Sequence, residues 1–251
     1  MTIAEGVDRP TLPVETLERV RRTRRHPRIT QFDYLHLKRL VDDVAEALAS
    51  IPQPVEDVLD AFCGTRPYED MLPAGARCIG FDIDNHFGSA DVTSHEFLPF
   101  DDQSFDLVLS VSGFYYVPDP ERGVSELARV LRPGGTAIVT APVAWEYDRT
   151  ILEHRFTGPE LEALFADWEQ VEVVENGGRA IAWALLTGHL IYLRERALAP
   201  RVRALATPLF KLSYVTVNAL GALADRGMRA RDTGPHTLPA NLLLRARKPV
   251  D

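Results

Sequence analysis

The sequence predicts an α/β fold: a doubly wound, mostly parallel sheet with helices on both faces. Residues 105–110 and 136–141 are short apolar runs typical of buried strands, and residues 120–131 between them repeat apolar side chains at helical spacing. Two further apolar runs, at residues 58–59 and 78–81, each end in an aspartate. Strand, helix and strand joined by short connections indicate a parallel sheet covered by helices.

A helical segment precedes the first predicted strand. Residues 14–25 form a basic helical pattern that ends at Pro27, and residues 31–50 carry leucines and valines at helical spacing. A proline-broken connection then begins at Pro52. We expect residues 1–54 to form a helical lid over the mouth of the sheet, although a helix that packs on the sheet fits the same pattern equally well.

The pattern loosens after the central strands. The sequence predicts a loop over residues 144–155, a helix over 159–165 and a strand over 168–175. A helical block follows over 180–224, with helices over 200–214 and 215–224, and a last strand covers 241–246. This order predicts a Rossmann-like core over residues 55–178, a helical cap inserted over 179–236, and the last strand of the core over 237–251.

The composition argues against several classes of protein. A net charge of −8 and a pI near 5.4 disfavour a nucleic-acid binder, which needs a basic face. The two cysteines, Cys63 and Cys78, fit neither a disulfide framework nor a metal site, so we expect no metal and a reducing, cytoplasmic location. The first residues are polar and broken by prolines, unlike a signal peptide, and no apolar run reaches the ~20 residues of a membrane-spanning helix.

Carboxylates follow two neighbouring predicted strands. Asp60 ends the first apolar run, and Asp82, with Asp84 as a second candidate, ends the next. The carboxyl ends of parallel strands meet at one edge of the sheet, where open α/β folds bind ligands. Asp82 is placed to accept hydrogen bonds from both ribose hydroxyls of a nucleoside, and Asp60 to accept from an ammonium group or a water. The alternative is that each acid caps the helix after it.

The loop after the first predicted strand contains one glycine. Gly64 permits a tight turn and close approach of a ligand. A dinucleotide-binding loop has three glycines around a pyrophosphate, and Phe62 and Arg66 occupy the other two positions here. Because bulky side chains at these positions crowd a pyrophosphate, the loop argues against a nicotinamide or flavin cofactor.

Four segments resemble, in this order, the class I S-adenosylmethionine-dependent methyltransferases: VLDAFCGT, GFDID, LPFDDQSFDLVLS and DPERGVSELARVLRPGGTAIVTAP. The likeness covers roughly residues 55–142 and is strongest to the small-molecule, methyltransferase type 11-like branch. It implies S-adenosyl-L-methionine as the cofactor and in-line methyl transfer to a small or lipid-like acceptor. The alternative is a non-catalytic S-adenosylmethionine-binding or scaffold protein that kept the fold.

The resemblance also implies which residues hold the cofactor. The loop after the first strand would contact the methionine part, and the end of the second strand would contact the ribose and adenine. The loop before Leu98 would contact the adenine, and the end of the fourth strand would lie beside the methyl donor. The residues are Asp60, Gly64, Thr65, Asp82, Ile83, His95 (with Ser94 and Glu96 as alternatives), Ser110 and Val111. The chain departs from the family pattern at Phe62 and Arg66, which replace glycines, and in the short crossover after Asp84.

No motif implies a catalytic residue. In-line methyl transfer depends mainly on positioning, but a hydroxyl acceptor also needs a base. His154, Tyr115 and Tyr116 are weak candidates for that base, because their segments are expected near the mouth of the site. For each of them, a loop or packing role is the simpler interpretation.

The apolar helical block over residues 180–230 has three interpretations. It can cap an apolar methyl acceptor, form the interface of a homodimer, or attach the protein peripherally to a membrane. The third is suggested by Arg194, Arg196, Arg201 and Arg203, which lie beside apolar helices.

Overall fold

The computed structural model describes residues 11–95, 98–229 and 237–250. The helices are α1 (Val14–Arg25), α2 (Tyr34–Ala49), α3 (Pro120–Val130), α4 (Gly158–Leu164), α5 (Arg179–Ala197) and α6 (Pro200–Arg229). The strands are β1 (Asp57–Ala61), β2 (Arg77–Asp82), β3 (Val92–Thr93), β4 (Phe105–Val111), β5 (Leu131–Pro142), β6 (Glu169–Asn176) and β7 (Asn241–Arg247). Among the helices in these ranges, none is long and apolar enough to cross a membrane.

The strands form one sheet in the order β3–β2–β1–β4–β5–β7–β6. Strands β1 to β5 are parallel to one another, whereas β7 is antiparallel to both β5 and β6. The predicted Rossmann-like, doubly wound and mostly parallel sheet is therefore confirmed. The strand order reverses between β1 and β4, and a crevice for ligands opens at such a switch, outside the carboxyl ends of the strands.

Helices α3 and α4 cover one face of the sheet. At the start of α3, the carboxylate of Asp119 accepts a hydrogen bond from the backbone N–H of Arg122. At the start of α4, Thr157 and Glu160 form a capping box. The buried side chains of the two helices pack on β1, β4, β5 and β7 in the larger hydrophobic core; they are Val124, Leu127, Val130, Leu161 and Phe165.

Helix α2 covers the opposite face. Leu37, Leu40, Val44 and Leu48 recur at helical spacing and pack on strand residues such as Leu107. The connection from β1 to β2 holds only a single turn of 3-10 helix, and the connection from β2 to β3 holds no helix. Helix α2 therefore supplies the cover that these short crossovers cannot.

Helix α1 lies elsewhere, at the edge where β1 ends. Arg21 donates a hydrogen bond to the backbone oxygen of Thr65 (2.6 Å), and Arg25 forms an ion pair with Asp70 (2.6 Å). Both partners belong to the connection that follows β1. The first part of the predicted lid therefore borders the expected ligand site, while the boundaries of the four predicted domains remain predictions.

Helices α5 and α6 follow β6 and precede β7 along the chain. The sequence predicted a break between helices over 200–214 and 215–224, but α6 is one helix of 30 residues, so that break is wrong. Two side chains near the expected break bind other segments of the chain. Tyr214 donates to Glu195 of α5 (2.5 Å), and Asn218 donates to two backbone oxygens in the segment before α2 (3.0 and 2.8 Å). These partners are distant in sequence, so the local pattern could not reveal them.

Gly188 lies where α5 crosses the segment before α2. A Cβ atom at this position would lie 2.5 Å from the backbone oxygen of Phe32. We expect Gly188→Ala to lower the free energy of unfolding by about 1–3 kcal/mol in chemical denaturation, as overpacking does. Gly227→Ala in α6 has no atom within 4 Å of the added Cβ and should be neutral or slightly stabilising. Equal effects of the two substitutions would contradict this packing of α5.

Candidate active site

Three strand ends meet at one edge of the sheet. The register pairs Asp60 of β1 with Gly80 of β2 and with Leu109 of β4. Asp82 at the end of β2 and Ser110 near the end of β4 therefore lie at the same edge as Asp60. This edge is the one at which the sequence placed the ligand.

The loop after β1 has left-handed backbone at every second residue. The φ angles are 58° at Phe62, 52° at Gly64 and 50° at Arg66. Phe62 and Arg66 replace glycines of the family pattern, yet they keep the backbone shape that glycine normally provides. Because each non-glycine residue in this conformation costs on the order of 1 kcal/mol, contacts of the two side chains must offset the strain.

Arg66 is buried and is held by ion pairs with two exposed carboxylates. Its side chain is 7% exposed and pairs with Asp91 (2.6 Å) and Glu69 (2.8 Å), and it also donates to the backbone oxygen of Cys78 (3.2 Å). It passes close to Gly80, where a Cβ atom would lie 2.9 Å from the Cδ of Arg66. Gly80 is therefore required because Arg66 fills the space beside it.

Phe62 is held by packing from two sides. Its ring lies edge-on to that of Phe81, with centroids 5.8 Å apart. Its other neighbour is Gly113, in the loop after β4, where a Cβ atom would lie 2.5 Å from the Cβ of Phe62. The two loops that border the crevice are thus packed directly on each other.

This packing predicts a destabilising substitution whose cost depends on Phe62. Gly113→Ala should lower the free energy of unfolding by about 1–3 kcal/mol in chemical denaturation. The same substitution should cost less in a Phe62→Gly background, because the close contact with the Cβ of Phe62 is then absent. Gly178→Ala, with no atom within 4 Å of the added Cβ, is the matched control. An equal cost of Gly113→Ala in both backgrounds would contradict the contact.

Asp82 anchors the loop after β1 from the neighbouring strand. Its Oδ2 accepts a hydrogen bond from the backbone N–H of Gly64 (2.9 Å), and its Oδ1 accepts one from Ile83 (2.8 Å). Partial burial raises the pKa of Asp82, although both hydrogen bonds oppose the shift. Each carboxylate oxygen has a second lone pair, so Asp82 can also accept hydrogen bonds from the hydroxyl groups of a ligand.

Asp60 is buried and lacks a hydrogen-bond partner among the described residues. Its exposed fraction is 6%. Burial raises its pKa to about 8, a shift that Arg66 opposes and that the carboxylates of Glu69 and Asp82 increase. The carboxyl group is therefore neutral near pH 7 in the free protein, and a cation placed beside it would favour its ionisation.

The other predicted cofactor residues differ in exposure. Thr65 and Ser110 are buried, Val111 is half-buried, and Ile83 and His95 are exposed. The hydroxyl of Ser110 is buried and has no hydrogen-bond partner within the described ranges. Of the two alternatives to His95, Ser94 is half-buried and Glu96 lies outside the described residues.

The three candidate bases lie together on the loops after β4 and β5. The backbone N–H of His154 donates to the backbone oxygen of Tyr115 (2.8 Å), and the rings of Tyr115 and Tyr116 have centroids 4.0 Å apart. The ring of His154 also stacks on that of Phe156, with centroids 5.7 Å apart. Burial raises the pKa of Tyr115, and its contact with Tyr116 adds to the shift.

The sequence did not predict an aromatic cluster that joins three distant segments. Phe32, before α2, stacks on Tyr192 of α5 (4.7 Å between centroids), and Trp145, after β5, lies 4.8 Å from the ring of His189. The Oε1 of Glu146 is 3.2 Å from the Nε2 of His189. A histidine within an otherwise apolar helix was the available signal, but its partners come from elsewhere in the chain.

Comparisons with known proteins agree with this architecture. Residues 59–139 match the family model described as a methyltransferase domain. These residues form a class I S-adenosylmethionine-dependent methyltransferase domain. The fold of the whole chain is similar to that of a putative sarcosine dimethylglycine methyltransferase from Galdieria sulphuraria (TM-score 0.53, 17% identity, covering 86% of this chain and 88% of that one).

Sequence relatives of this methyltransferase domain match only part of the chain. The demethylmenaquinone methyltransferase of Clavibacter sepedonicus is 44% identical over 71 residues, 28% of each chain. The 27-O-demethylrifamycin SV methyltransferase of Amycolatopsis mediterranei is 32% identical over 129 residues, 51% of this chain and 41% of that one. The matches thus span less than half the length of these relatives, and they identify the domain and its implied cofactor, S-adenosylmethionine.

Proposed function

We propose that this protein transfers a methyl group from S-adenosylmethionine to a small or lipid-like acceptor. The observation that carries the proposal is the pair of strand-end acids: Asp60, buried without a partner among the described residues, beside Asp82, which anchors the glycine loop. The acceptor class is supported by the relatives, which are named for methylating demethylmenaquinone and a rifamycin.

The residues at this edge fit the cofactor. A buried carboxyl group with no partner suits the ammonium group of the methionine part, because the opposite charge offsets the cost of ionising Asp60. Asp82 has lone pairs available for the two ribose hydroxyls. Ile83 is exposed next to it and offers an apolar surface to the adenine.

When bound, S-adenosylmethionine supplies an electrophilic methyl group, and the chain's own residues position the acceptor and exclude water. Among the candidate bases, Tyr115 is the poorest, because burial raises its pKa and keeps the hydroxyl protonated; it can donate a hydrogen bond but does not readily release its proton. Tyr116, which is 40% exposed, and His154 remain the candidates for removing a proton from a hydroxyl acceptor.

The proposed acceptor surface is the aromatic cluster between the segment before α2 and α5. Phe32, Trp145 and Tyr192 provide flat apolar faces, and His189 with Glu146 provides a polar group among them. Rings of this kind suit an aromatic or prenylated acceptor. In this proposal, the inner side of α5 is the predicted cap.

The test is a calorimetric titration with S-adenosylhomocysteine, followed by a transfer assay with radiolabelled S-adenosylmethionine on a panel of hydroquinones and phenols. We expect saturable binding and label in at least one acceptor. Absence of binding would overturn the proposal. Binding without transfer to any acceptor in the panel would favour the alternative, a non-catalytic S-adenosylmethionine-binding or scaffold protein.

A further inference from the structure

Helix α6 presents an uncovered apolar stripe along its length. Six large apolar side chains recur every three, four or eight residues and are each more than half exposed, with Leu205 at 85%. They are Val202, Leu205, Leu209, Leu212, Leu220 and Leu223. Spacing of this kind places them on one side of the helix. We propose that this side of the α5–α6 hairpin docks on the surface of an anionic lipid bilayer.

Helix α5 adds apolar side chains that are also exposed. Trp183, Leu186, Leu190 and Leu193 are each more than 40% exposed and recur every three or four residues. The opposite side of α5 is buried, with Gly188 packed against the segment before α2. The hairpin is thus held to the fold by one side and leaves apolar side chains uncovered on the other. A tryptophan among exposed leucines is typical of helices that lie in a membrane interface.

The charge of the hairpin identifies the kind of partner. Residues 179–229 contain eight lysines and arginines and two acids, a net charge of +6, while the whole chain has a net charge of −8. The rest of the chain therefore carries −14. Arg194, Arg196 and Arg201 surround the turn between α5 and α6, are exposed, and have no carboxylate partner among the described residues. Basic residues beside exposed apolar side chains complement an anionic lipid surface.

A second copy of this chain is a poorer occupant of the same face. Two hairpins in contact would each bring a net charge of +6, and like charges that face each other oppose association. A bilayer that contains anionic lipid neutralises the arginines and receives the leucines in its acyl region, while long arginine side chains reach the headgroups. The inference goes beyond methyl transfer and does not rest on it.

The test is flotation of the full chain with vesicles of phosphatidylcholine containing 30% phosphatidylglycerol, compared with phosphatidylcholine alone. We expect binding to the anionic vesicles that weakens as salt is added, because salt screens the arginines. Acyl-chain bromination should quench Trp183 fluorescence, and Trp183→Phe should remove most of that quenching. An absence of binding to the anionic vesicles would overturn the proposal.

Three triple variants locate the binding face. The lipid-facing variants are Leu205→Gln/Leu209→Gln/Leu212→Gln and Arg194→Gln/Arg196→Gln/Arg201→Gln, and the matched control is Arg19→Gln/Arg22→Gln/Arg28→Gln on exposed residues of the N-terminal segment. We expect the arginine variant to lose affinity on the order of 100-fold, since each basic residue near such a surface contributes about fivefold. The control should change the affinity much less, and circular dichroism should be the same for all three.

Two results would contradict this assignment. An equal loss of vesicle affinity in the control variant would show that the N-terminal segment contributes as much to binding as the hairpin does. A dimer in sedimentation velocity that the leucine variant dissociates, in a protein that binds no vesicles, would identify a second copy of the chain as the occupant of this face.

Discussion

Replacing Asp82 with alanine should weaken the binding of S-adenosylhomocysteine by at least about 100-fold. In the proposed complex the carboxylate accepts hydrogen bonds from two ribose hydroxyls, and a hydrogen bond to a charged group contributes about 1.5–3 kcal/mol. Two such bonds amount to at least a 100-fold change in affinity, at 1.4 kcal/mol for each factor of ten. The substitution also removes the acceptor for the backbone N–H of Gly64, which loosens the loop that faces the methionine part.

The matched control is Asp84→Ala, two residues along the chain. Asp84 is exposed, and its Oδ1 accepts a hydrogen bond from the backbone N–H of His86 (2.9 Å), outside the loop that Asp82 anchors. We expect its affinity for S-adenosylhomocysteine to stay within a few-fold of the wild-type value, as measured by calorimetry. A larger loss of affinity for Asp84→Ala than for Asp82→Ala would show that Asp84, and not Asp82, contacts the ribose.

The sheet and its strand-end acids were predictable from the sequence because their signals are local. Apolar runs, Pro120 at the start of a helix and glycines at residues 134 and 135 fix strands and turns through nearby residues alone. Since parallel strands align their carboxyl ends, the meeting of Asp60 and Asp82 followed from the order of the elements.

The conformation of the loop after β1 was harder to predict from the sequence. A phenylalanine and an arginine in place of glycine indicated a departure from the family pattern, yet Phe62 and Arg66 keep the left-handed backbone. The strain is offset by Asp91 and Glu69 around Arg66 and by the packing of Phe62 on Gly113. These partners lie up to 51 residues away along the chain, so no local pattern contains them.

The helices were predicted from the sequence as helices, but their positions and, for α6, their length were not. The pattern of α2 fitted a lid and a cover of the sheet equally well, and its position follows from contacts with strand residues such as Leu107, which are distant in sequence. Helix α6 runs through a predicted break, and Tyr214 and Asn218 near that point bind groups that are distant in sequence. His189 illustrates the same limit, since Trp145 and Phe32 reach it from two other segments.

Binding of S-adenosylhomocysteine should become stronger as the pH rises from 6 to 8, by up to about tenfold per pH unit. The pKa of Asp60 is about 8 in the free protein because the group is buried, so its carboxyl group is protonated at pH 6. The proposed complex pairs the ionised form with an ammonium group, so binding below pH 8 must release a proton. Calorimetry in buffers of different ionisation enthalpy measures that proton directly.

Asp60→Asn is the variant that isolates this effect. It should bind more weakly than the wild type at pH 8 and show little change in affinity between pH 6 and 8, because its amide does not titrate. A wild-type affinity that is independent of pH, or a slope that persists in Asp60→Asn, would contradict pairing of the ammonium group with Asp60. Asp84→Asn is the matched control and should keep the wild-type slope.

The same carboxyl group makes the stability of the free protein depend on pH. The folded-state pKa of Asp60, about 8, lies above the ordinary value of 3.8, so the folded chain holds this proton more tightly than the unfolded chain. The contribution is fully present below about pH 4 and is lost as the pH rises towards 8. We therefore expect Asp60→Asn to gain stability relative to the wild type between pH 4 and 8, and the gain to level off above pH 8. Urea denaturation across this range measures it, and saturating S-adenosylhomocysteine should reduce the gain because the bound cation stabilises the ionised wild-type carboxylate.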